Sequence, residues 1–295
     1  EVEKSKRENY KLIIHFHEIH NIHGLMVATL FKNEDVIVQH HGGSNPMKHM
    51  QGARMKKFLF PLLFFAQLWE NKVLKNVKYY YPLSNYEIDY LKKRAPNSRL
   101  KFQTMGIEEE YFKNMKRKTA RTKLKLLQDK KILLFIGKVD RIKGMDLLLK
   151  AMTDLRDIEL KIIGFGPQEP MFKKYVKENK LNNVEFLGGV FGERKMLYLS
   201  AADAFVLPSR REGAPVTVME ALSRNIPVVV SNVGGVPLMI KNNKEGIIIR
   251  QDNTQDIVNA VKKILNWKKK NVKKYAKKYE WKKIIDDTVN DYKEI

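Results

Sequence analysis

The chain has 295 residues, 43% of them hydrophobic and 10% aromatic, which is enough to bury two cores and rules out a disordered chain. It contains no cysteine, which excludes a disulfide framework, cysteine zinc sites and cysteine nucleophiles and fits a reducing compartment. The formal net charge of +23 suits nucleic acid, an anionic membrane surface or an anionic small substrate, and equally a set of lysine-rich solvated helix faces.

Short apolar runs alternate with helical stretches along the whole chain. Leu12–Phe16 and Val36–Gln39 open the series as strands. All seven histidines fall between His15 and His49. His15 and His17 share one strand face, and His20 and His23 one helical face, but no fixed ligand spacing supports a metal site and none is assigned. The apolar run Phe58–Trp69 follows Lys56 and Lys57. It is shorter than the roughly 20 residues of a membrane-spanning helix. It reads as a helix packed on the first sheet, or as a segment that touches a membrane.

Tyr79–Leu83 is the next strand. The charged stretch Lys113–Lys123 reads as an interdomain linker followed by a short helix. The strands beyond it are Lys131–Gly137, Ile158–Gly164, Val184–Leu187, Ala204–Leu207, Pro227–Ser231 and Gly246–Ile249, with helices such as Asp146–Met152 and Val216–Leu222 between them. Continuous rather than alternating apolar runs suit strands buried on both faces of a parallel sheet. The alternation as a whole predicts a doubly wound α/β architecture. The first domain shows about three strands where such a unit has about five or six, so its beginning is expected to be absent from this chain. Trp267–Lys278 reads as a solvated amphipathic helix, and Tyr279–Asp287 as a terminal helix with an aromatic anchor.

Chemistry concentrates in the strand-to-helix turns of the second half. Gly137-Lys-Val-Asp-Arg-Ile-Lys-Gly144 places Lys138, Arg141 and Lys143 on a glycine-bounded loop ahead of a helix, a diphosphate-binding pattern or else a solvated basic loop. Ile163-Gly-Phe-Gly-Pro167 follows the next strand, with Gly164 and Gly166 permitting close backbone approach and Pro167 suited to a first helical position. Pro208-Ser-Arg-Arg-Glu-Gly-Ala-Pro-Val-Thr-Val-Met-Glu220 carries two carboxylates, Glu212 in the loop and Glu220 in the following helix. They can serve two parts of one ligand, sugar hydroxyls and ribose hydroxyls, or they are a capping acid and a surface acid. Ser231-Asn-Val-Gly-Gly-Val-Pro237 is a further glycine-rich turn, expected to offer backbone amides to a ligand.

In order and spacing these motifs resemble glycosyltransferase family 4, the retaining GT-B enzymes that use nucleotide-diphosphate sugars. The resemblance runs from Leu12 to Ile295 and is strongest over Ile132–Ile249. It implies two Rossmann-like domains facing across a cleft: a partial acceptor-side domain over 1–122, a nucleotide-sugar domain over 123–280, and a terminal helix over 281–295 that crosses back. By that resemblance Gly137, Lys138 and Lys143 hold the diphosphate, although the family usually has Arg where Lys138 stands. Glu212, with Gly213, Ala214 and Val216, would meet the donor sugar, and Glu220 the ribose. Gly164 borders the donor, and Val190 and Lys195 would meet the base. In the first domain Val36–Gly42 is similar to the strand that carries an active-site histidine, with His41 the better match and His40 its neighbour. The catalytic set so implied is Glu212, Lys143, Lys138 and His41, with no metal or other cofactor.

The implied activity is retaining transfer of a sugar from a UDP- or GDP-sugar to a glycan or lipid-linked acceptor in cell-surface polysaccharide or glycolipid synthesis. The expected setting is the cytoplasm, peripheral on an anionic inner membrane face. A non-catalytic sugar-nucleotide-binding or scaffolding relative is the alternative. Nucleic acid is not expected as a partner, since no RRM, KH or zinc-finger signature accompanies the charge.

Overall fold

The computed structural model describes residues 12–17, 26, 29–39, 68–267 and 271–295. The chain divides into two compact units, Glu1–Thr104 with Ile285–Ile295, and Met105–Ile284.

The first unit holds a parallel sheet in the order β1-β2-β3-β4, made of Ile13–His17, Asp35–Gln39, Val77–Tyr81 and Arg99–Leu100. Alternate side chains leave opposite faces of a strand. Accordingly Val36, Val38 and Tyr80 pack with Val73, Leu74, Leu91 and Ala95 on one face. Ile37, Tyr79 and Tyr81 form a second cluster on the other. Helix α1, Asn85–Arg94, starts where the Ser84 hydroxyl accepts from the Glu87 N–H and the Glu87 carboxylate accepts from the Leu83 N–H.

The second unit begins with a 3-10 turn, Glu109–Phe112, and continues as α2 (Arg117–Lys123), β5 (Lys131–Ile136), α3 (Met145–Ala151), β6 (Ile158–Ile163), α4 (Glu169–Glu178) and β7 (Val184–Gly188). It proceeds through α5 (Gly192–Ala201), β8 (Ala204–Leu207), α6 (Val216–Ser223), β9 (Val228–Ser231), α7 (Val236–Met239), β10 (Gly246–Ile249), α8 (Thr254–Leu265) and α9 (Lys273–Ala276). The sheet is parallel, in the order β10-β9-β8-β5-β6-β7. Every residue of β8 and β9 is buried, as is β5 after Lys131, which is why these strands read as unbroken apolar runs. Strand order reverses between β5 and β8. In an open α/β sheet, a ligand crevice forms at the carboxyl ends beside such a switch point. The last helix, α10 (Trp281–Lys293), starts in the second unit, and from Ile285 its residues belong to the first. There Tyr292 and Ile295 pack on the Ile37, Tyr79 and Tyr81 face.

Three expectations are corrected. The charged stretch ends in a short helix, α2, in which Ala120 packs with Leu197 and Ala201 and the Arg121 side chain is fully buried. Arg121 donates to the carbonyls of Ala201, Leu127, Gln128 and Lys130 and pairs with Asp203 at 2.7 Å. The second unit accordingly starts at Met105 and not at residue 123. Among the described residues of Trp267–Lys278, helix occupies Lys273–Ala276 before a 3-10 turn, and Val272 and Ala276 are buried, so this part of the stretch is not a solvated helix face. Pro167 precedes the helix instead of opening it; α4 begins at Glu169 with Pro170 in its first turn. Strand β4, two residues long and headed by an arginine, carries no apolar run from which to predict it. Among the described residues no helix is long and apolar enough to cross a membrane.

Candidate functional site

The five turns that follow β5 to β9 lie at the carboxyl edge of the second sheet, and they place the expected residues. At the switch point, the loop after β5 meets the loop after β8. Lys143 Nζ donates to Glu212 Oε1 at 2.7 Å, and Ser209 Oγ donates to the same oxygen at 2.7 Å. The Glu212 side chain is thereby almost fully enclosed. Lys143 is aimed by its own loop, since Asp140 Oδ1 accepts from the Lys143 N–H at 2.9 Å. Gly144 then adopts φ +74, and a Cβ there would fall 2.0 Å from the Pro208 carbonyl oxygen, so this close contact between the two loops requires glycine.

The glycine-rich turn after β9 supports Glu212 from behind. The Gly235 N–H donates to the Gly213 carbonyl at 2.6 Å. A Cβ on Gly234 would meet the Glu212 carbonyl oxygen at 1.9 Å. The Gly235 amide, expected to face a ligand, is thus engaged by the neighbouring loop. Ala214 continues that loop, and Pro215 caps α6, whose first residue is the exposed Val216.

A second ion pair joins α5 and α6. Lys195, on α5, donates to Glu220 Oε1 on α6 at 2.8 Å. Glu220 is buried, and its Oε2 has no hydrogen-bond partner among the described residues. Burial alone would depress the Lys195 ammonium, but Glu220 and Tyr111 outweigh it and hold the pKa above its ordinary value. The Tyr111 ring lies 5.2 Å from Lys195 Nζ. Burial raises the Tyr111 phenol, Lys195 opposes that shift and the Glu220 charge reinforces it.

Beside this pair is a cavity of about 560 Å³ lined by Gly137, Lys138, Gly164, Val190 and Lys195, together with Phe165 and Phe191. Sequentially bonded loops shape its floor: Gly137 N–H donates to Ile163 O at 3.0 Å, and Gly164 N–H to Gly188 O at 2.8 Å. Lys138 is largely exposed and sits 3.5 Å from Asp140. The structure therefore groups the predicted residues in two sets, Lys143 with Glu212, Gly213, Ala214 and Val216 at the switch point, and Gly137, Lys138, Gly164, Val190 and Lys195 around the cavity, with Glu220 joined to the latter through Lys195. His41 lies outside the described residues, as do His40, His20, His23 and His49.

Asp140, Ser209 and Tyr111 were not singled out from sequence. Asp140 and Ser209 stand inside the quoted motifs, and their short polar side chains within glycine- and proline-bounded loops were the available signal. Tyr111 sits in a 3-10 turn far from Lys195 in sequence, and nothing local marked it.

Comparison with known proteins gives a consistent picture. The model of the family "Glycosyl transferases group 1" matches residues 116–280. An uncharacterised glycosyltransferase of Methanocaldococcus jannaschii is 32% identical over 176 residues, 56% of this chain and 45% of that protein. The chain spans about half the length of the curated relatives it matches. Among solved structures, sucrose-phosphate synthase from Thermosynechococcus elongatus aligns with a TM-score of 0.77 at 21% identity, covering 99% of this chain and 75% of that one. Anabaena HepE in complex with UDP aligns with a TM-score of 0.75 at 15% identity, covering all of this chain and 81% of that one. These likenesses show the fold: two Rossmann-like parallel-sheet α/β domains of the GT-B class.

Proposed function

The chain belongs to the glycosyl transferases group 1 family, and from that premise we propose that it is a retaining glycosyltransferase of the family 4 type, moving a sugar from a UDP- or GDP-sugar to a glycan or lipid-linked acceptor. The proposed setting is cell-surface polysaccharide or glycolipid synthesis in the cytoplasm, peripheral on the inner membrane face, where the net charge of +23 favours anionic lipid.

The observation that carries this reading is the pair of enclosed carboxylates, each held by a lysine, on the carboxyl edge of one parallel sheet. A buried carboxylate with one oxygen on Lys195 and the other without a hydrogen-bond partner among the described residues, as in Glu220, suits a vicinal diol such as ribose. Glu212 at the switch point suits donor-sugar hydroxyls. UDP in the HepE complex is a ligand of the chemistry proposed for this chain.

In the proposed reaction the bond from the anomeric carbon to the diphosphate oxygen breaks, and the acceptor hydroxyl oxygen bonds to that carbon from the same face. The hydroxyl proton leaves with the nucleoside diphosphate. Negative charge grows on the departing diphosphate. Lys143, Lys138 and the backbone amides that open α3 are set to stabilise it electrostatically. That is the neutralisation a divalent metal otherwise supplies, so a metal-independent reaction is proposed. The loop contacts through Asp140, Gly144 and Pro208 hold Lys143 ready before the donor arrives. Lys143→Ala is expected to slow release of nucleoside diphosphate from UDP- or GDP-sugar at least about 100-fold, the loss typical of one preorganised charge-stabilising group. Turnover within a few-fold of the parent would contradict the diphosphate role.

A further inference from the structure

We propose that a cavity at the amino edge of the second sheet, at the opposite end of the strands from the donor turns, binds the phosphate group of a small phosphorylated molecule with an apolar body. The cavity, of about 550 Å³, opens where β5, β8 and β9 begin: Lys131 is the first residue of β5, and Asp203 and Pro227 directly precede β8 and β9. A space of that order holds a small molecule. Its charge is unbalanced. Lys116, Arg117, Lys131 and Arg224 line it, against one carboxylate, Asp203. Asp203 is already engaged by Arg117 and by the buried Arg121, and it accepts from the Ile132 N–H. Among the described residues no carboxylate meets Lys116, Lys131 or Arg224.

Exposed lysines such as Lys116 and Lys131 are ordinary on a protein surface. Arg224 is different. It is half-buried, and comparable cations, Lys143, Lys161 and Lys195, each meet a glutamate. The Arg224 Nε and Nη2 donate to the Ser200 hydroxyl at 3.0 and 2.6 Å, and Nη1 donates to the Lys113 carbonyl at 2.5 Å. These contacts satisfy N–H groups but bring no counter-ion. Lys273 adds to the imbalance. Its Nζ donates to the Phe112 carbonyl and to Asn114 Oδ1, and burial, then the Arg224 and Lys277 charges, hold its pKa below the ordinary value. Burial lowers the Arg224 guanidinium in the same way. A desolvated cation without an opposite charge is costly, and a bound anion relieves that cost. Three uncompensated cations suit the roughly two negative charges of a phosphate monoester better than a single carboxylate. Met115, Ile226, Ile264 and Trp267 complete the walls, so the ligand carries an apolar or ring-shaped body beside its phosphate.

The test is calorimetric titration with phenyl phosphate and with inorganic phosphate, in a Lys143→Ala background that removes the cation of the switch point. This chain is expected to bind phenyl phosphate at least about tenfold more tightly than inorganic phosphate, through burial of the ring. Adding Arg224→Gln is expected to weaken phenyl phosphate at least about tenfold, and adding Lys116→Gln with Lys131→Gln about tenfold. The lysine pair decides the matter if Arg224→Gln does not fold, since neither lysine side chain makes a hydrogen bond or ion pair among the described residues. No binding in the background chain overturns the site, and so does binding left unchanged by folded Arg224→Gln or by the lysine pair. Equal affinity for the two probes overturns the apolar body. Phosphatidylcholine vesicles containing phosphatidic acid are expected to leave phenyl phosphate affinity unchanged; competition by them would overturn the small-molecule source in favour of a lipid headgroup.

Discussion

Asp291 in the first unit and Glu220 in the second are buried carboxylates of nearly equal exposure, 4% and 6%, yet the chain treats them differently. Asp291 is saturated. Lys101 Nζ donates to both of its oxygens at 2.8 and 2.7 Å, Tyr81 donates to Oδ2 at 2.8 Å, and Tyr79 to Oδ1 at 3.3 Å. This cluster fastens the end of α10 to the first sheet, and burial together with the Asp291 charge pushes the Tyr81 phenol far above its ordinary value. Glu220 has one oxygen on Lys195 and, among the described residues, no hydrogen-bond partner for the other, with the Tyr111 phenol close by. A buried polar group left half satisfied costs free energy unless something completes it. A carboxylate of the first kind secures a fold, and one of the second kind is ready for a ligand. Stored cost at a site, offset by saturated contacts elsewhere, is the usual arrangement in functional proteins.

The sharpest way to break that contrast is to remove each carboxylate in turn. Asp291→Ala is expected to destabilise the first unit by about 2–4 kcal/mol, less than the full cost of breaking a buried pair because Lys101 is partly exposed. Denaturant unfolding measures that loss, and nucleotide affinity of the folded variant should stay near the parent value. Glu220→Gln keeps the shape and one acceptor. It is expected to cost no more than about 1–2 kcal/mol of stability while weakening nucleoside-diphosphate binding about 10- to 100-fold, the loss of a charge-assisted hydrogen bond. Equal destabilisation by the two variants would erase the distinction. The smallest effect is expected at Lys138, exposed beside the cavity: Lys138→Arg restores a planar fork for two phosphate oxygens and should tighten nucleoside-diphosphate binding about two- to fivefold in the same titration.

The two units also differ in how much of each was legible in the sequence. The second sheet was readable because β5, β6, β8 and β9 are covered on both faces, so burial writes an unbroken apolar run such as Ile132–Ile136. Its turns were readable because Gly144 and Gly234 stand where no side chain fits. In the first unit, β4 is Arg99–Leu100, held by pairing to Tyr79 and Tyr80 and not by a pattern of its own. The burial of α2 was not legible because charge usually means solvent, whereas Arg121 is buried with a carbonyl or carboxylate for each of its three nitrogens. The pairings Lys143 with Glu212 and Lys195 with Glu220 join residues 69 and 25 positions apart. Spacing within a motif does not reveal which lysine meets which acid; the crossing of strand order, which sets β5 beside β8, brings Lys143 to Glu212.

The most direct test of the central claim is calorimetric titration of the full chain with UDP, GDP and ADP, run in parallel on Glu220→Gln and Asp291→Asn. The parent is expected to bind at least one of them, Glu220→Gln to weaken this binding at least about tenfold, and folded Asp291→Asn to keep it. Binding that survives in Glu220→Gln, or a parent that binds none of the three, would contradict that claim.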